Sequence, residues 1–141
     1  MTSQTWFITG ANRGIGLAIA RAALAAGHRV VATARQGAAV VEALGDRDDV
    51  LALDLDVTRP AQVRAAVEAA TARFGGIDVL VNNAGYGHLG LFEQTSDADA
   101  RAQFETNVFG MMDVTRAVLP VMRARRSGRV LNLSSVAGMA G

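Results

Sequence analysis

The chain has 141 residues, half of them hydrophobic (50%), which suits one globular domain with a real core and excludes a disordered chain. Its 14 basic residues, all Arg, nearly balance 13 acidic ones, so neither nucleic acid nor an anionic membrane is an expected partner. There is no Cys, no leader-like N-terminus and no apolar run of bilayer length, which excludes disulfides and thiolate metal sites and leads us to expect a cytoplasmic protein.

In chain order, Thr5 to Ile8 reads as a strand, followed by the turn Thr9-Gly-Ala-Asn-Arg-Gly-Ile-Gly16 and an Ala- and Leu-rich helix from Leu17 to Ala26 that stops at Gly27. Arg29 to Ala34 is a second strand, apolar enough to be buried on both faces, with Arg35 and Gln36 at its carboxyl end. A short helix from Ala38 to Leu44 closes at Gly45. Val50 to Leu55 is a third strand running into Asp56-Val57-Thr58. Thr58 is the expected helix cap and Pro60 fits the first turn; Val63, Val67, Ala70 and Phe74 then form one apolar stripe, ended by Gly75-Gly76.

Ile77 to Val81 is a fourth strand, leading into Asn82-Asn83-Ala84-Gly85 and a loop from Tyr86 to Gln94. Ser96-Asp97-Ala98-Asp99 has the spacing of a capping box with a short carboxylate. One long helix is expected from there to about Arg126, with Phe104, Val108, Met111, Thr115, Val118 and Met122 on its apolar face and an interruption at Pro120. After the turn Ser127-Gly128, Arg129 to Leu133 is a fifth strand ending in Ser134-Ser135.

Strict alternation of strand and helix implies a parallel sheet wound on both faces, whose ligands bind beyond the carboxyl ends of the strands. Asn12-Arg13, Arg35, Asp56, Asn82-Asn83 and Ser134-Ser135 each lie just past a strand. The glycine turn fits a pyrophosphate, because glycine admits left-handed backbone and close approach while a helix N-terminus offers free N–H donors. By itself that spacing is equally compatible with an ordinary strand-turn-helix junction.

Taken together these segments resemble the short-chain dehydrogenase/reductase family. Thr9 to Gly16 matches its T-G-x-x-x-G-x-G, Asp56-Val57 its acidic pair and Asn82 to Gly85 its N-N-A-G. Asn107 in Asn-Val-Phe-Gly matches the helix asparagine, and Leu133-Ser-Ser135 before Val-Ala-Gly matches the active-site serine segment. The resemblance implies a doubly wound Rossmann-type α/β domain, residues 1–141, with five strands in the order 3-2-1-4-5. It implies a nicotinamide cofactor, a small carbonyl or alcohol substrate, and a homo-oligomer formed through the helix from Asp97 to Arg126, with Met112 and Val114 as outward apolar positions. The family's Y-x-x-x-K pair has no counterpart here: Tyr86 is the lone Tyr and Lys is absent, so this stretch corresponds to the cofactor-binding part and is expected to be inactive alone.

By resemblance Gly10, Gly14, Ile15 and Gly16 hold the pyrophosphate, with Asn12 and Arg13 toward the adenosine. Asp56 and Val57 meet the adenine, and Asn83, Ala84 and Gly85 pass under the nicotinamide ribose, Asn82 being structural. Ser135 polarises the substrate carbonyl, whereas Ser134 is an ordinary strand-end hydroxyl. Asn107 distorts its helix and holds a water for proton relay. Ala34 and Arg35 leave room and charge for a 2′-phosphate where a carboxylate would bind a ribose hydroxyl, so NADP is expected over NAD. A solvated strand-end Arg is the plain alternative. Asp54 is expected to serve the strand end. An oxidoreductase is one reading of the whole, and a nucleotide-binding module without turnover is the other.

Overall fold

A strand paired on both edges and covered on both faces must be apolar nearly throughout. Thr5–Thr9 (β1), with Trp6, Phe7 and Ile8 between two buried threonines, sits at the centre of the sheet. The computed structural model describes residues 2–139; Met1, Ala140 and Gly141, the ends of the expected domain, lie outside the described residues. Around β1, Arg29–Ala34 (β2), Val50–Asp54 (β3), Val79–Asn82 (β4) and Arg129–Asn132 (β5) pair in parallel, in the expected order β3-β2-β1-β4-β5.

The two-residue period of the strands splits the core in two. Phe7, Val31 and Leu80 face Pro60–Phe74 (α3) and Met111–Ala124 (α5); Ile8, Ala32 and Val81 face Gly14–Ala25 (α1) and Gly37–Leu44 (α2). Strand order reverses between β1 and β4. That is the switch point at which sheets of this kind take their ligands.

Three local expectations need correction. Thr58 does not cap α3: Arg59 occupies the cap position without a side-chain bond, and Pro60 begins the helix. Instead Thr58 donates both its N–H (3.0 Å) and its hydroxyl (2.7 Å) to Asp56 Oδ1, since a carboxylate two residues upstream is the stronger local acceptor. The long helix is three pieces, Asp97–Phe104 (α4), a π-helical stretch Glu105–Gly110, and α5. The extra residue in the wide turn rotates the face of α4 relative to that of α5, so the expected stripe breaks. Phe104 is 58% exposed, while α5 buries Val114, Val118 and Met122. Val114 is therefore a core residue and not an outward one. The change of helix type lies around Asn107, whereas α5 runs on through the exposed Pro120, where the expected interruption is limited to the hydrogen bond that proline cannot donate.

Ser96 does cap α4. Its Oγ accepts from Asp99 N and donates to Asp99 Oδ2 (2.5 Å).

Candidate functional site

The turn after β1 uses its glycines for two different reasons. Gly10 and Gly14 have φ of +66° and +56°, where a side chain is strained. Gly16 has ordinary backbone, but a Cβ on it would overlap the Gly10 carbonyl oxygen and come within 2.5 Å of Asn83 Nδ2. The bare Cα lets α1 start directly on the turn. Arg13 is the cap residue of α1, yet no side chain caps the helix and its first turn has no acid. Among the described residues, no side chain accepts from the first N–H donors of this 12-residue helix, and a Cβ on Gly14 at its start would meet open space. A pyrophosphate fits that donor set. Ile15 and Arg13 are exposed and Asn12 is half-buried.

Two residues tie this turn to the end of β4. Thr9 Oγ1 accepts from the N–H groups of Asn83 (3.0 Å) and Ala84 (2.9 Å), and Asn83 Nδ2 donates to the carbonyls of Thr9 and Gly10, each at 3.0 Å. Thr9 carries no assignment in the sequence beyond opening its motif, because its partners lie more than seventy residues away. Asn82 is buried and donates to Thr115 Oγ1 and Asn132 Oδ1, a structural role as expected.

Further along, the Asn107 amide clamps the backbone of Tyr86. Its Oδ1 accepts from Tyr86 N (3.0 Å) and its Nδ2 donates to Tyr86 O (2.7 Å), with Gln103 Nε2 donating to the same carbonyl. The π-helical turn presents Asn107 to the chain just past Gly85. Each end of the side chain makes one of these bonds, so the amide is oriented by the Tyr86 backbone while a second Nδ2 hydrogen and a second Oδ1 lone pair stay available.

On the other side of the switch point, Arg35 is exposed at the end of β2, after the buried Ala34. Asp56 has its N–H donated to Gln62 Oε1 (2.8 Å), its Oδ1 taken by Thr58, and its Oδ2 3.6 Å from Arg59 Nε. Oδ2 is the least committed acceptor. Val57 is buried against the core, so only its main chain can serve a ligand. The two Thr58 donors, with Arg59 and Arg35 nearby, hold the Asp56 carboxyl below its ordinary 3.8 despite partial burial, which acts the other way. A depressed native value stabilises the fold above the unfolded value and loses that contribution as pH falls through the native one. The stability difference between wild type and Asp56→Asn is expected to be constant from about pH 5 to 7 and to shrink below about pH 4 in urea titrations. A pH-independent difference would detach the carboxylate's charge from the fold.

At the far edge, Leu133 N donates to Asn82 O (3.0 Å) and keeps the ends of β4 and β5 level. Ser135 comes two residues later, exposed, with its Oγ accepting from Ala137 N (3.1 Å) and its own proton free to donate. Ser134 is also exposed. Ala11 N donates to Thr33 O (2.8 Å), which binds the glycine turn to β2. The expected site residues therefore all lie along one end of the sheet.

A parallel, doubly wound sheet with an open glycine turn at its switch point defines a nucleotide-binding domain of Rossmann type. Residues 4–141 match the family described as short chain dehydrogenase, and the chain belongs to that family. It is 42% identical over 141 residues to oxidoreductase BOA17 of Botryotinia fuckeliana, covering 99% of this chain and 52% of that protein. It is 39% identical to 3-ketodihydrosphingosine reductase of Bacteroides thetaiotaomicron, covering 100% and 50%. Among solved structures, a short-chain dehydrogenase from Streptomyces avermitilis superposes with a TM-score of 0.90 at 45% identity, covering 99% of this chain and 52% of that one. Serine dehydrogenase from Escherichia coli gives 0.90 at 33% identity, covering 97% and 64%. The chain thus spans about half the length of the curated relatives it matches. Membership implies an oxidoreductase fold that binds a nicotinamide nucleotide. Among the described residues no helix is long and apolar enough to cross a membrane.

Proposed function

We propose that this chain forms the cofactor-binding part of an NADP(H)-dependent oxidoreductase that interconverts a carbonyl and an alcohol. The observation that carries the proposal is the uncapped N-terminus of α1 behind the glycine turn, with Arg35 and no carboxylate after β2. The nicotinamide, when bound, gives or takes the hydride.

In this reading the first turn of α1 and the Gly10–Gly16 backbone bind the pyrophosphate, and Arg35, assisted by Arg13, binds the 2′-phosphate. Asp56 Oδ2 accepts from the adenine amino group and Val57 contributes its main chain. Asn83, Ala84 and Gly85 line the nicotinamide ribose. Ser135 donates its hydroxyl proton to the substrate oxygen, where charge develops. Asn107 seats the Tyr86 segment, and its main chain holds the water of a proton relay. The family's Tyr and Lys have no counterpart among residues 1–141, so these residues do not themselves supply that proton donor.

The test is oxidation of NADPH and of NADH by the protein at its natural length, with a panel of aldehydes and ketones. Turnover favouring NADPH supports the reading. Tight NADPH binding without turnover of any of them would favour a binding module instead.

We also propose a cytoplasmic homo-oligomer assembled along α4, the π turn and α5, where Phe109 and Met112 are exposed. A self-complementary contact brings such residues against their own copies. Met112→Asp is expected to shift the protein toward monomer in light scattering. An unchanged mass for both Met112→Asp and Phe109→Asp would mean that another surface is used.

A further inference from the structure

Arg35 and Gln36 are the two-residue link between β2 and α2, and the helix they lead into lacks an ordinary cap. Gln36 occupies the cap position with extended backbone but makes no side-chain bond to the helix. The missing acceptor comes from the neighbouring strand. Asp54, the last residue of β3, accepts a hydrogen bond from Gly37 N through Oδ1 at 2.6 Å. A carboxylate at the start of a helix is the favourable charge for that end.

The contact depends on the residue at 37. A Cβ there would lie 2.9 Å from Asp54 Oδ1, 3.0 Å from Leu53 C and 3.1 Å from Asp54 N, so only glycine lets the helix start rest on β3. The other end of the link is held by the same strand. Ala34 pairs in register with Asp54, and Leu55 N donates to Ala34 O at 2.8 Å. The segment carrying Arg35 is therefore fastened on both sides to Asp54-Leu55, while Arg35 itself stays exposed above it.

We infer that Asp54, with Gly37, is a positioning residue for cofactor selection: it acts through the α2 start to hold Arg35 where a 2′-phosphate would bind. The inference rests on the proposed NADP(H) reading. Its chemistry is distinct from charge recognition, because Asp54 is itself anionic and would repel a phosphate if it acted directly. What it supplies is an acceptor, and Asn supplies the same one.

The experiment is calorimetric titration of NADPH and NADH into the natural-length protein and its Asp54→Ala, Asp54→Asn and Gly37→Ala variants. Asp54→Ala and Gly37→Ala are expected to weaken NADPH binding by about three- to tenfold, the scale of a lost helix cap, with NADH unchanged. Asp54→Asn should restore NADPH binding to within about twofold of wild type, since it still accepts from Gly37 N. Amide exchange of Gly37 should quicken in Asp54→Ala and not in Asp54→Asn. The inference is overturned if both Asp54 variants tighten NADPH, which would make the carboxylate a repulsive charge, or if Asp54→Ala leaves NADPH unchanged. It is also overturned if NADPH and NADH weaken equally. A wild type that prefers NADH overturns the cofactor reading itself, a result separate from all of these.

Discussion

Gly16→Ala is expected to abolish measurable NADPH binding and to lower the stability of the domain. The added methyl group would overlap the Gly10 carbonyl oxygen and approach Asn83 Nδ2 to 2.5 Å. Neither neighbour can yield freely. Gly10 is held in left-handed backbone, and the Asn83 amide already donates to the carbonyls of Thr9 and Gly10. Relief requires α1 to move off the turn, which opens the donor cluster that the proposed function assigns to the pyrophosphate. Overpacking of this kind costs about 1–3 kcal/mol or more. Gly14→Ala is the contrasting variant: no atom lies within 4 Å of its Cβ, so only its left-handed backbone is strained, at about 1–2 kcal/mol. Urea unfolding with NADPH titration measures both. A Gly16→Ala protein that binds NADPH like wild type would remove the turn from the cofactor site.

Ser135→Ala is expected to lower kcat by about 10²–10³ in the natural-length enzyme, the range for losing one donor to a developing oxyanion. NADPH affinity should stay the same, because Ser135 lies beyond the β5 end, away from the turns after β1, β2 and β3 to which the proposed function assigns the pyrophosphate, 2′-phosphate and adenine. The hydroxyl is suited to donation. Its oxygen accepts from Ala137 N, which fixes the rotamer and leaves the proton directed elsewhere. Ser134→Ala should be nearly silent. Equal losses from both variants would point to a strand-end effect on structure rather than to one hydroxyl acting on substrate.

The sheet and its ligand edge are legible in the sequence because each apolar run ends abruptly in a polar or glycine cluster. A buried parallel strand places most such residues outside the core, so Arg35, Asp56, Asn83 and Ser134-Ser135 share one end, while Asn82 stays buried in β4 with its amide nitrogen paired. The features that escape the sequence depend on partners far along the chain or on one extra residue. Thr9 reads as a strand residue until Asn83 and Ala84 arrive to donate to it. Asp54 is legible as a strand-end residue, but its partner Gly37 lies past a different strand. Helical periodicity places Phe104 and Met122 on one face, and the π turn at Glu105–Gly110 undoes that by inserting a residue between them. Val114 has a different reason: it stands four and eight residues before Val118 and Met122 in α5, so regular helical spacing puts it on their buried face, and the outward reading overlooked that spacing. The composition of Glu-Thr-Asn-Val-Phe-Gly does not announce a wide turn, but the family resemblance expects a distorted helix at Asn107. The π turn lies there, with the Asn107 clamp on Tyr86 made across the fold.

Recognition of a 2′-phosphate by Arg35 is tested most directly by titrating NADPH and NADH into the natural-length protein and into Arg35→Ala. Wild type should bind NADPH more tightly than NADH. The substitution should weaken NADPH by about 1.5–3 kcal/mol, the range for a charge-assisted hydrogen bond, and leave NADH almost unmoved. A wild type that prefers NADH, or an Arg35→Ala protein that weakens both cofactors alike, would contradict it.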